Sequence, residues 1–178
     1  MKKIITIIIV AVLAAAGYFG YDYTMDKKMT NPSEWSQTGN SEFTVNLPED
    51  MKSGSNLWHT SDGQEQIAYY YNSKAGFSVA KLPYSVNGNL KNIDIKSYLE
   101  NITINNVKLD IKPVNNGYYY STVKKSSGTF KNTDKVFTIE SIFKGDDAVY
   151  SVAIQCRESD RNNYEASMLE WLKSFELK

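Results

Sequence analysis

From Phe43 onward, short runs in which apolar and polar residues alternate are broken by proline, asparagine and glycine, and helical spacing interrupts them in only two places. A chain patterned in this way builds a sheet with strands buried on at least one face, and its helices are confined to the two interruptions. The spacing predicts strands over residues 43–47, 56–60, 66–71, 77–82, 107–111, 118–125, 136–144 and 148–156. Pro48 and Pro83 stop two of them, because proline brings no N–H to a ladder. Turn chemistry joins others: Asp62-Gly63, Asn115-Asn116-Gly117, and Gly145-Asp146-Asp147, where Gly145 is expected to take a positive φ. The first helix places Ile95, Tyr98, Leu99 and Ile102 on one face behind Asp94 as N-cap. The second gathers Tyr164, Met168, Trp171, Leu172 and Phe175 opposite Glu165, Glu170 and Lys173, with Asp160 as its expected N-cap. The fold class expected is α+β: a largely antiparallel sheet with a middle helix and a C-terminal helix packed on it.

The chain opens quite differently. Lys2 and Lys3 precede an apolar run from Ile4 to Leu13 that only Thr6 interrupts, which is the design of an export signal. Ala14 and Ala16 fit cleavage before Gly17, which would leave a secreted protein. Apolar character nevertheless continues to Tyr21, and Tyr18, Phe19, Tyr21 and Tyr23 suit the outer headgroup level, so residues 1–23 are read as a retained signal-anchor helix with the C-terminal domain outside. Residues 24–42 are polar, include Pro32 and Gly39 and show no sustained period; they are read as a stalk, with Trp35 docking on the domain. Residues 43–178 are then the α+β domain.

Composition removes several functions. Twenty basic and twenty acidic residues leave no net field to gather nucleic acid. Cys156 is the sole cysteine, so no disulfide forms within the chain. It shares an expected strand face with Tyr150, Val152 and Ile154, which predicts a buried, unreactive thiol; Ser151 and Ala153 on the other face predict a closely packed helix and a central strand. His59 is the only histidine, and no GxSxG nucleophile elbow accompanies it, so a structural role is expected. No cofactor or metal is expected: paired histidines or cysteines are missing, and neither a phosphate loop nor a calcium loop is present. Asp146 and Asp147 are expected to satisfy backbone N–H groups in their own turn. Asn101-Ile102-Thr103 matches a glycosylation acceptor within or beside the first helix.

Two tyrosine triplets, Tyr69 to Tyr71 and Tyr118 to Tyr120, place rings on both faces of their strands. Strand propensity accounts for them; a patch that binds a protein or a cell-wall sugar through rigid rings is the functional alternative. The opening strand ending in VNLPEDM, the middle helix, the hairpins and the closing LEWLKSFELK together resemble the PsbP-like fold over residues 43–178. That fold is shared by a photosystem II extrinsic subunit, a Ran-binding import factor and DcrB-like bacterial envelope proteins. The resemblance implies a binding or assembly factor. It departs from the envelope lipoproteins at Leu13-Ala14-Ala15-Ala16, where the lipid-bearing cysteine is missing. The expected function is a membrane-tethered extracytoplasmic binding or assembly domain without catalysis, whose partner is an envelope protein or cell-wall component. The alternative is an envelope enzyme or small-ligand carrier with a site built from loops.

Overall fold

The computed structural model describes residues 24–104, 107–125 and 135–178. The strands are β1 (Trp35–Gly39), β2 (Phe43–Pro48), β3 (Lys52–Ser53), β4 (Glu65–Tyr71), β5 (Ala75–Pro83), β6 (Thr103–Ile104), β7 (Val107–Lys108), β8 (Lys112–Val114), β9 (Gly117–Lys125), β10 (Lys135–Lys144), β11 (Ala148–Arg157) and β12 (Glu176–Leu177). The α-helices among the described residues are α1, described over 24–30, α2 (Ile95–Glu100) and α3 (Arg161–Lys173). A seven-stranded sheet runs β3-β4-β5-β11-β10-β9-β8, a three-stranded sheet runs β1-β2-β12, and β6 pairs β7. All of these described pairs are antiparallel. The fold is therefore α+β, as the periodicity requires.

The large sheet is sandwiched. On its inner face, Phe77, Phe137, Ile139, Phe143, Val152 and Ile154 meet the apolar sides of α3 and of β2, where Phe43, Val45 and Leu47 point inward. Each large apolar side chain buried here contributes about 1.5–3 kcal/mol. Phe175 stacks at an angle on both Phe43 and Phe143, at 5.3 and 5.0 Å between ring centres. On the outer face α2 makes a smaller core, with Ile95 and Leu99 against Tyr118, Tyr120 and Ile142. Asp94 caps this helix as expected, accepting from the Ser97 N–H at 2.7 Å.

Several expectations are corrected. The stretch read as a stalk is folded into the domain: α1 buries Met25 and Met29, and β1 pairs β2 along its length. Two methionines four residues apart share one face of a helix, a signal masked by the surrounding charges. Trp35 does dock, edge-on to Trp171 at 5.9 Å, and its indole N–H donates to the Lys28 carbonyl. The strand expected over 107–111 splits into β7 and, after Leu109 and Ile111 drop into the outer core, β8. Residues 56–60 make only an isolated bridge between His59 and Glu65. Asp160 precedes α3 without capping it, because a 3-10 turn over Glu158–Asp160 holds it in helical conformation, where its carboxylate cannot reach back to the first turn. Gly145 has no positive φ. It is a glycine where a Cβ would lie 2.7 Å from the Tyr150 ring. No described helix is long and apolar enough to cross a membrane; the expected anchor over 1–23 lies outside the described residues.

Candidate functional site

The two tyrosine triplets fall on strands four positions apart in the large sheet, β4 and β9, which at ~4.8 Å per strand separates them by roughly 19 Å. They do not form one patch. Tyr118 and Tyr120 belong to the core beneath α2, and Tyr119 and Tyr70 pack against the inner core. The Tyr120 hydroxyl donates to Glu140, which also pairs Lys124; burial and this hydrogen bond push the Tyr120 phenol above its ordinary pKa. Of the six rings only Tyr71 is exposed.

Tyr71 and Tyr69 share the outer face of β4, and their rings stack nearly parallel, 14° apart, at 5.3 Å between centres. Glycines make this arrangement fit. A Cβ at Gly54, beside β3, would stand 2.7 Å from Tyr69 Cδ1, and one at Gly76, on β5, would stand 3.4 Å from Tyr69 Cε2. The Tyr69 ring thus settles against backbone on both sides, and Tyr71 stacks alongside it. The rings wall an open groove of about 800 Å³. Lys52, directly across from Tyr71 in the ladder, projects on the same face. The opposite rim is built by the β4–β5 turn: Asn72 Oδ1 accepts from the Lys74 and Ala75 N–H groups at 2.9 Å, and Asn72 Nδ2 donates to Asp50 Oδ2 at 3.2 Å. Met25 of α1 closes one end.

An ion-pair cluster lies elsewhere. Lys81 Nζ sits 2.7 Å from Glu42 Oε2 and 3.0 Å from Asp147 Oδ2, while the Tyr150 hydroxyl donates to Glu42 and Asp147 at 2.8 and 3.2 Å. Asp147 thus serves a long-range cluster in addition to its own turn. Burial alone would lower the Lys81 pKa, but the hydrogen bonds to Glu42 and Asp147 outweigh it and raise the pKa. Burial and the Glu42 hydrogen bond raise that of Tyr150. The cluster fastens the entry to β2, strand β5 and the β10–β11 turn to one another. Its one legible signal was Lys81 at an inward position behind Ala75, Phe77 and Val79.

His59 is largely exposed beside Glu65, at 3.6 Å. Cys156 is fully buried, and desolvation pushes its thiol up to about 12. On the other face of β11, the 3-10 turn over Gly88–Asn92 and the start of α2 cover Ser151 and Val149, leaving an apolar cavity of about 140 Å³ where close packing was expected. Among the described residues no group of three His, Cys, Asp or Glu converges as a metal site. The groove itself was not visible in the sequence; Gly54 and Gly76 flanking a Tyr-x-Tyr strand were the only hints.

No family model matches the chain, and no curated protein matches it. A solved structure of a Bacteroides thetaiotaomicron protein, determined at 1.50 Å, is similar with a TM-score of 0.41 and 11% identity over 76% of this chain. The chain spans 45% of that protein's length.

Proposed function

We propose that this chain is a membrane-tethered extracytoplasmic binding or assembly domain without catalytic activity. The observation that carries the proposal is the groove: Tyr69 lies against the backbone at Gly54 and Gly76, Tyr71 stacks on it, polar side chains line the rest, and it is open to solvent. Tyrosine offers a large contact face with only two side-chain torsions to order, so it binds at little entropic cost. The apolar segment behind Lys2 and Lys3 supports the tether, and the sequence's resemblance to PsbP-like binding and assembly factors supports the binding role. The rival reading, a small-ligand carrier, has the cavity behind α2 in its favour; at about 140 Å³ it falls below the ~300–1,000 Å³ usual for ligand pockets.

The test is photo-crosslinking in native membranes with a photoreactive residue at position 71 and, as control, at position 98 on the far side of the sheet's outer face. Specific capture from position 71 by an envelope component is the expected result. Recovery of the protein only in soluble fractions, with an N-terminus at Gly17, would remove the tether.

A further inference from the structure

We infer that the Tyr69–Tyr71 groove takes an uncharged glycan; this rests on the binding-domain reading above and names its ligand. A sugar ring presents C–H groups on one face and hydroxyls around its rim. The groove presents the matching arrangement: the exposed Tyr71 ring, stacked on Tyr69, offers a flat apolar face, and the hydroxyls and amides of Ser55, Asn56 and Ser73 stand around it. These groups both donate and accept, as a hydroxyl-rich ligand requires. Charge decides the class further. Among the described residues Asp50 and Lys52 are the one carboxylate and the one amine lining the groove and they cancel, so they concentrate neither a polyanion nor a polycation. A peptide is disfavoured by the lining as well: peptide recognition relies on sockets for alternate side chains, and apart from ring faces the only apolar side chain here is Met25. A groove of about 800 Å³, open to solvent, has room for more than one sugar unit.

The experiment titrates the detergent-solubilised full chain, by calorimetry, with three tetramers: N-acetylglucosamine, glucose and galacturonate. The expected result is binding of a neutral tetramer, at least tenfold tighter than the acidic one. Tyr71→Ala should weaken it tenfold or more and Tyr71→Phe should retain it, since the ring face is what binds. Tyr98→Ala, which alters an exposed ring on α2, should change nothing. Equal affinity for galacturonate overturns the uncharged class, and unchanged affinity in Tyr71→Ala overturns the groove as the site. If no glycan binds while the residue at position 71 captures a single envelope protein in membranes, the glycan is wrong and the binding domain stands. If neither occurs, both fall.

Discussion

Gly117, the first residue of β9, has no room for even one methyl group: a Cβ there would stand 2.4 Å from the Ile142 carbonyl oxygen and 2.8 Å from the Phe143 ring. The obstacle is backbone, which cannot swing aside as a side chain can. Gly117→Ala is expected to destabilise the domain by about 1–3 kcal/mol, read as a lower midpoint in urea with an unchanged slope. In the same turn the left-handed conformation falls to Asn115, at φ 47°, and its side-chain amide donates to the Lys173 and Phe175 carbonyls at the end of α3. Cys156 yields a second residue-scale expectation. With its thiol fully buried and its pKa raised to about 12 by desolvation, it should resist a thiol reagent in the native protein and react within the same interval once unfolded. Rapid native labelling would show that β11 is not covered as described.

At the scale of elements, α1 and β1 are the test, because the sequence reads as a tether there and the structure as core. Met29 is fully buried and packs in the main cluster, and Asp26 accepts from the Tyr164 hydroxyl and lies 3.5 Å from Lys74 Nζ. Met29→Ala should therefore cost about 2–5 kcal/mol, as a core truncation does, whereas a stalk residue would cost nothing measurable. Chemical denaturation of the full chain distinguishes the two. β1 adds the Trp35 ring against Trp171, so α3 is held from the outside by the segment that enters the domain first.

For the whole molecule, the Lys81 cluster joins distant parts of the chain: Glu42 at the entry to β2, Lys81 on β5, and Asp147 and Tyr150 at the β10–β11 turn, with the Lys178 N–H donating to the Glu42 carbonyl. Its pH dependence follows from the two shifts. Lys81 holds the Asp147 carboxyl below its ordinary value, so that contribution is complete above about pH 3.9 and is lost as pH falls through the lowered pKa. Lys81 is raised, so its contribution is complete below about pH 10.4 and is lost only as pH rises through the folded value. The difference in melting temperature between the native protein and Lys81→Met should be flat across neutral pH and shrink in strong acid. A difference that persists undiminished at about pH 2, well below the ordinary aspartate range, would show that packing of the lysine stem, not charge, sets it. The tether also changes at this scale. Met25, which lines the groove, directly follows the segment proposed as the anchor, so that part of the groove is expected close to the bilayer.

What the sequence settled alone was whatever depends on neighbours a few positions away: the long strands β5, β9, β10 and β11, the buried face of α3, Ile95 and Leu99 of α2 though not the exposed Tyr98, the Asp94 cap and the burial of Cys156. Each follows from a local period repeated often enough to outweigh exceptions. Short elements carried too few residues to show a period, which is why β1 and the break between β7 and β8 escaped. The groove and the Lys81 cluster are products of register. Only the pairing that sets Lys52 opposite Tyr71, Ser78 opposite Tyr69 and Lys81 opposite Tyr150 brings their side chains to common faces. A one-residue slip would send every one of them to the other side of the sheet, and that choice is made by the packing of the whole core.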